Sequence, residues 1–441
     1  MDTIVALSSG ALPAGVAVVR ISGPDAFGVL KQVTGMNTED PRCSKRAFVL
    51  ADIFDPLSDE RLDRGLVLPF KGPHSFTGED VIELHLHGSR AVVDQLLASL
   101  SRLENVRLAE PGEFTRRAYV NGKMNLVDAE ALGDLIQAQT KAQRRHANLI
   151  TDGKLVATYN GWRDLVLRSR AMIEADIDFA DEDDVPGSLV DIVFAEIRDL
   201  IDQIEVQIQR TEVADRIREG FRIVIFGAPN AGKSTLLNVL AGREAAIVAD
   251  IPGTTRDMIE VQLDLSGFLV HITDTAGIRD SDEVVEQIGV SRARDAALDA
   301  DLVLNLSSDG YWEEVCSDSS GSFEEVKVLS KSDLAKRVGE ANADVSVSAK
   351  SGEGLDKLVN LVTARIEKTM GVLNERSGGN RRQASKMRGA LELLKSIDAQ
   401  DPLEINAESL RLAAIQLSEL IGDVSHEELL GEIFSSFCIG K

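Results

Sequence analysis

The spacing of apolar residues changes character three times along this 441-residue chain, and each stretch predicts its own kind of element. Up to about residue 120 the apolar runs are short, rich in Val, Ile, Leu and Phe, and bounded by turn residues. Thr3–Leu7, Gly15–Ile21, Ala47–Ile53, Gly65–Pro69 and Val81–His87 are expected to be strands, and Ala91–Leu103 has helical spacing. The expectation is an α+β domain with a mixed or barrel-like sheet. Glu83 alternates with apolar neighbours and belongs to the opposite face of its strand.

From Leu126 to about Glu219 the period is helical, with Leu126, Ala129, Leu132, Leu135 and Ile136 on one face and Asp128 where it favours a helix N-terminus. Helices are expected near Leu155–Ile177 and Val190–Arg216, separated by an acidic stretch ending in Pro-Gly. Helical spacing returns after Lys386 and around Leu410, Leu417 and Leu420. In between, residues ~216 to ~371 alternate strands and helices, as a parallel α/β sheet requires. The two helical stretches read as one bundle with the α/β domain inserted, or as two separate small helical domains.

The α/β segment carries the densest chemistry. Gly227-Ala228-Pro229-Asn230-Ala231-Gly232-Lys233-Ser234-Thr235 fits G-x4-G-K-[ST], between an apolar run, Phe221–Phe226, and leucines at helical spacing. Such a loop aims backbone N–H groups at one anion. Lys233 can reach the β- and γ-phosphates, and the Ser234 hydroxyl can ligate Mg²⁺. Next come Ile251-Pro252-Gly253-Thr254-Thr255-Arg256-Asp257, where a threonine hydroxyl can complete the Mg²⁺ shell, and Asp274-Thr275-Ala276-Gly277 at the end of a strand. Ser330-Lys331-Ser332-Asp333 and Ser348-Ala349-Lys350 follow two further strands. A buried aspartate at position 333 accepts two hydrogen bonds from guanine that adenine cannot offer, so it selects GTP. The usual motif has Asn where this chain has Ser330, which keeps a hydroxyl but loses the amide. That bears on affinity and on how firmly the loops are braced. Ile278 follows D-x-x-G where many small GTPases place Gln, so another residue must orient the attacking water. Asn230 reads either as a plain turn residue or as a ligand that, with backbone carbonyls of the 249–254 loop, holds a monovalent cation.

Composition narrows the setting. A net charge of −24 makes the surface as a whole repel nucleic acid, so RNA contact needs a local basic patch or a partner protein. Cys43, Cys316 and Cys438 are far apart and form no C-x-x-C, which argues for a reducing compartment. No apolar run approaches the ~20 residues of a membrane span, and the N-terminus lacks a signal-peptide layout. The expectation is a cytoplasmic protein without stable membrane insertion. The polar clusters of the first domain, Arg20 to Gly23, Ser75 to Asp80 and Pro111 to Thr115, are compatible with turn chemistry alone.

Those clusters, together with Asp2-Thr3-Ile4-Val5-Ala6, Asn121-Gly122-Lys123, the nucleotide motifs and the tail Phe437-Cys438-Ile439-Gly440-Lys441, closely resemble the MnmE (TrmE) family of tRNA modification GTPases over essentially the whole length. The resemblance implies a multidomain chain. An N-terminal α+β tetrahydrofolate-binding and dimerisation domain occupies 1–120, and an all-α helical domain occupies 121–215 and 372–441. An α/β P-loop G domain with a parallel-type sheet is inserted at 216–371. It also implies a homodimer acting with a flavin partner, MnmG (GidA), as a heterotetramer on tRNA. There an aminomethyl-type group is placed on C5 of the wobble uridine, with a one-carbon unit from 5-formyl- or 5,10-methylenetetrahydrofolate. Arg20, Glu83, Lys123 and Lys441 match folate-binding positions.

By the same resemblance GTP is held by residues 230–235, by Ala249, Asp250, Ile251, Pro252, Gly253, Thr254 and Thr255, by 274–277, and by 330–333 and 348–350. K⁺ maps onto Asn230, Ala249, Ile251 and Thr254, and Mg²⁺ onto Ser234 and Thr255. Glu286 aligns with the catalytic carboxylate and otherwise reads as a solvated helix charge. Lys233 and Cys438 complete the catalytic set, Cys438 otherwise being a packing thiol. A GTP-dependent regulatory switch, associated with ribosome or membrane and without chemistry on RNA, is the competing function.

Overall fold

The computed structural model describes residues 2–36, 48–178, 189–243, 245–246, 259–274, 296–315, 323–334, 342–370, 378–422, 427–435 and 437–440. The chain divides into two compact units, one of residues 1–133 with 418–441 and the other of residues 134–417.

The first unit is built on β1 (Thr3–Leu7), β2 (Ala14–Ser22), α1 (Ala26–Thr34), β3 (Val49–Phe54), β4 (Arg61–Phe70), β5 (Val81–Gly88), α2 (Arg90–Leu100), β6 (Val106–Leu108) and α3 (Glu113–Val120). The strands form an open sheet in the order β3-β4-β5-β2-β1-β6. It is antiparallel except where β6 joins β1 in parallel, so the sheet is mixed and not a barrel. Period-two alternation sends Val19, Ile21, Ile82, Leu84 and Leu86 into a core closed by Val29, Leu30 and Val33 of α1 and Val93, Leu96 and Leu100 of α2. Burying a side chain of this size contributes roughly 1.5–3 kcal/mol.

Helix α4 (Leu126–Gln137) starts from a reciprocal cap, in which Asn125 accepts from the Asp128 N–H at 2.9 Å and donates to its carboxylate at 2.6 Å. Burial raises the Asp128 carboxyl above its ordinary value.

The second unit holds α5 (Lys141–Thr151), α6 (Lys154–Asp178), α7 (Leu189–Glu219), β7 (Phe221–Gly227), α8 (Lys233–Arg243), β8 (Ala245–Ala246), β9 (Ile259–Leu265), β10 (Phe268–Asp274), β11 (Leu302–Ser307), β12 (Glu324–Leu329), β13 (Val345–Ser346), α9 (Leu355–Met370) and α10 (Arg381–Lys395). Its sheet runs β13-β12-β11-β7-β10-β9-β8. The five strands from β13 to β10 pair in parallel, as expected of alternating strands and helices. At the far edge β9 alone is reversed, pairing antiparallel with both β10 and β8. The cause is a two-residue hairpin, Ser266 (φ 56°) and Gly267 (φ 94°), that turns β9 straight into β10.

Ala214 and Ile217 of α7 share a hydrophobic cluster with Phe221, Ile225, Leu240, Leu304, Val328, Leu358 and Ile366 of the α/β layer. Gly220 joins α7 to β7 at φ 91°, and a β-carbon built there would lie 2.4 Å from the His271 ring. The returning chain meets the same helix. The Gly379 N–H donates to Thr211 Oγ1 at 3.1 Å, and Arg381 at the start of α10 pairs with Glu219 at 2.5 Å. Helix α11 (Leu403–Ile421) and helix α12 (Glu427–Ser435) close the chain. Among the described residues no helix is long and apolar enough to cross a membrane.

Candidate functional site

Four of the parallel strands deliver their carboxyl ends to one edge of the second unit's sheet, and the chemistry-bearing segments lie there. Strand β7 ends at Gly227, whose φ of 139° admits glycine and whose added β-carbon would lie 2.2 Å from the Leu306 carbonyl. The loop then turns through Asn230 (φ 61°) and Gly232 (φ 96°) into α8, which begins at Lys233. Lys233 Nζ donates to the carbonyls of Gly227 at 2.6 Å and Ala228 at 3.0 Å, folding the side chain over the loop. Burial lowers its pKa, against the pull of Asp274 and Glu313. The turn of backbone N–H groups, the Lys233 ammonium and a helix N-terminus together favour a polyphosphate.

Beside that loop the Ser234 hydroxyl donates to Oδ2 of Asp274, the last residue of β10, whose side chain is fully buried. A hydroxyl and a buried carboxylate side by side are hard oxygen donors of the kind Mg²⁺ prefers, so these residues fit the ion. Thr235 is exposed on the next position of α8.

The 330–333 segment is joined to the 227–235 loop by two contacts. Ser330, at the end of β12, donates through Oγ to the Ala231 carbonyl at 2.6 Å, and Lys331 Nζ donates to the Asn230 carbonyl at 2.7 Å. The brace that the missing amide put in question is therefore present, made by a hydroxyl. Asp333 is exposed, in contrast to the buried aspartate expected, because it stands on the turn after β12. Its orientation comes from Ser348, which donates to Asp333 Oδ1 at 2.7 Å. The Ser332 N–H is fixed by the Val347 carbonyl at 3.1 Å, while Ala349 is half-buried and Lys350 exposed. Residues 230–235, 274, 330–333 and 348–350 thus come together at one edge. Ala249, Asp250, Ile251, Pro252, Gly253, Thr254, Thr255, Thr275, Ala276, Gly277 and Glu286 lie outside the described residues, as does Lys441.

The first unit brings together a second group. Arg20 and Glu83 are direct cross-strand partners on β2 and β5, and the guanidinium meets the carboxylate at 2.9 Å. The Arg20 guanidinium also lies 5.2 Å from the Phe76 ring centroid and 5.6 Å from that of Phe114. Lys123 Nζ donates to the Pro73 carbonyl at 2.8 Å. The C-terminal tail folds onto this unit: Ile439 bridges Pro111, the Gly112 N–H donates to the Cys438 carbonyl at 3.4 Å, and Ser8 Oγ donates to the Gly440 carbonyl at 2.7 Å. Cys438 is exposed.

Pattern reading missed a partly buried ionic cluster here. Arg117 donates to Asp2 at 2.7 Å, Glu113 at 3.0 Å and Glu79 at 3.1 Å, and Arg107 forks onto Glu113 at 2.6 and 2.8 Å. Burial alone would raise the Glu113 carboxyl, but its hydrogen bonds, that of Arg107 foremost, hold it below its ordinary value. Asp2, Glu79 and Glu113 belong to the motifs already singled out, and Arg117 stands four residues past Glu113 on α3, whereas nothing in the spacing marked Arg107.

Two family models match the chain, one described as GTP-binding protein TrmE N-terminus over residues 3–123 and one as MnmE helical domain over residues 126–438. A tRNA modification GTPase MnmE from Brucella anthropi is 46% identical over all of this chain and 98% of its own length. The Agrobacterium fabrum protein of the same name is 45% identical over all of this chain and 99% of its own length. The G domain of an iron transporter, FeoB of T. maritima, covers 34% of this chain at 23% identity with a TM-score of 0.25, a likeness too slight to bear on the assignment. With two models spanning the chain and relatives aligned from end to end, the chain belongs to the MnmE family of tRNA modification GTPases.

Proposed function

We propose that this chain hydrolyses GTP in the service of tRNA modification, at the carboxyl edge of the β13-to-β8 sheet. The observation that carries the reading is the convergence there of Lys233 over the phosphate loop, the Ser234–Asp274 pair and the Ser348-oriented Asp333. Lys233 and the N-terminus of α8 bind and orient the phosphates. Ser234 and Thr255 would hold Mg²⁺, with Asp274 accepting from the Ser234 hydroxyl. The ion supplies charge neutralisation at the β- and γ-phosphates when bound. Asp333 accepts from N1 and the exocyclic amine of guanine. Asn230, with the carbonyls of Ala249, Ile251 and Thr254, would hold K⁺, which would supply the positive charge an arginine finger gives elsewhere, and Glu286 would orient the water in place of the missing Gln.

The domains run 1–120, 121–215 with 372–441, and 216–371, in a homodimer that works in the cytoplasm with the MnmG flavoprotein on the wobble uridine. Arg20, Glu83, Lys123 and Lys441 take the folate, with Cys438 alongside. The Arg20–Glu83 pair beside the Phe76 and Phe114 rings, and the tail held by Ser8 and Gly112, support this.

Purified protein in KCl is expected to hydrolyse GTP faster than in NaCl and to leave ATP untouched. Equal rates in the two salts would remove the cation from the mechanism. Glu286→Ala is expected to bind GTP and lose turnover; unchanged turnover would move the water-orienting role elsewhere. Mass spectrometry of tRNA nucleosides from a deletion strain separates this reading from a regulatory switch, for which the wobble uridines stay normally modified.

A further inference from the structure

We propose that Ser330 is a positioning residue whose one hydroxyl proton is committed to the phosphate loop, so that position 330 gives no hydrogen bond to N7 of the base. The inference rests on the guanine-nucleotide reading and concerns how that nucleotide is held.

Ser330 is 5% exposed and fixed through its own backbone, its N–H donating to the Ser307 carbonyl at 2.8 Å. Its Oγ lies 2.6 Å from the Ala231 carbonyl and 3.2 Å from the Ser307 carbonyl. A serine hydroxyl has a single proton, and both neighbours are acceptors only, so the proton goes to the nearer one. An asparagine amide has two protons and can brace the loop with one while offering the other to a base. Guanine presents N7 and O6 as acceptors on one edge and N1–H with the exocyclic amine on another. Asp333, turned by Ser348, serves the second edge. Lys331 is engaged as well, its Nζ lying 2.7 Å from the Asn230 carbonyl. Adjacent residues 330 and 331 therefore tie the base-selecting segment to adjacent residues 231 and 230 of the phosphate loop. Base identity is left to Asp333, and the ties set affinity by holding the two loops in register.

The test is equilibrium binding of GDP, 7-deaza-GDP and ADP to the full chain and to Ser330→Ala, Ser330→Thr and Ser330→Asn. In 7-deaza-GDP a C–H replaces N7, and nothing else at the base changes. The native chain is expected to bind GDP and 7-deaza-GDP within about twofold of one another. Ser330→Ala is expected to weaken both by the same factor, about fivefold for one lost hydrogen bond. Ser330→Thr keeps the hydroxyl and stays near the native values. Ser330→Asn is expected to discriminate against 7-deaza-GDP by about fivefold.

The proposal is overturned if the native chain rejects 7-deaza-GDP and Ser330→Ala erases the difference, because the hydroxyl then serves the base. It is equally overturned if Ser330→Ala leaves both affinities unchanged. Should Ser330→Asn fail to fold, the native and alanine proteins still decide. A native chain that binds ADP as well as GDP would instead sink the guanine-nucleotide reading itself.

Discussion

A carboxylate that accepts from two neighbouring donors of one base rejects a base lacking them, and here Ser348 holds that carboxylate in place at 2.7 Å. Asp333→Asn exchanges one acceptor for a donor. It is expected to weaken GTP by about tenfold or more and to favour xanthosine triphosphate, whose C2 carbonyl replaces the amine. Competition binding with the two nucleotides checks this, and an unchanged preference for GTP would remove Asp333 from base selection. Arg117 poses a residue-scale question of stability. Its side chain is 12% exposed, against 11% for Glu79 and 9% for Glu113, so its removal takes a cationic partner from two buried carboxylates, of which Glu113 keeps Arg107. Arg117→Ala is expected to cost about 3 kcal/mol, read as a lowered unfolding midpoint of the first unit, and a loss within error would show that Arg107 suffices. The phosphate loop announced its chemistry through spacing alone. The Arg117 cluster and the Ser330–Ala231 contact did not, because each joins residues far apart in the chain through atoms that no local pattern marks.

Elements were legible where period and burial agreed. Strand β1 was expected at its observed bounds, and β5, α6 and α7 were expected to within a few residues. Strand β4 begins four residues before its expected start because Arg61, Asp63 and Arg64 hide the alternation, Arg61 pairing across to Asp52 of β3. Strand β9 alternates strictly, Ile-Glu-Val-Gln-Leu-Asp-Leu, which is the signature of a half-exposed antiparallel strand that an all-parallel expectation passes over. The junction of α5, α7 and this hairpin is also where pH should act. The Ala142 N–H donates to the Gly267 carbonyl at 2.9 Å, and Gln143 Nε2 donates to the Arg218 carbonyl at 2.9 Å. Burial, with Arg218 nearby, lowers His146 from 6.5 to about 4. Its neutral form is the folded one, so stability is intact above pH 6.5 and falls as the unfolded chain protonates below it, by about 2 kcal/mol at pH 5. Asp215 has the opposite sign. Burial, with Glu219 adding and Arg218 and Arg381 opposing, raises it from 3.8 to about 6, so lowering the pH from 7 to 5 returns about 1 kcal/mol. Melts at pH 7 and pH 5 should therefore show His146→Gln losing the acid sensitivity and Asp215→Asn increasing it; identical slopes in all three proteins would contradict both assignments.

At the scale of the whole molecule the charge of −24 leaves a polyanion no general welcome, so RNA is met through local patches or through another protein. Each unit has its own core, and the first unit gathers both chain ends, with the tail from Phe437 to Gly440 laid against β1 and the start of α3. The chain leaves the helices at Gly220 and rejoins them at Gly378 and Gly379, and these two points touch through Arg381–Glu219 and Gly379–Thr211. Such neighbouring doors predict that the α/β layer can be removed without unfolding the helices. A shortened polypeptide in which a brief Gly-Ser bridge replaces residues 221–377, with Ile217→Lys to cover the face left bare, is expected to keep its helical circular dichroism and melt cooperatively. A molten product would mean that the helices borrow their order from the guest they carry.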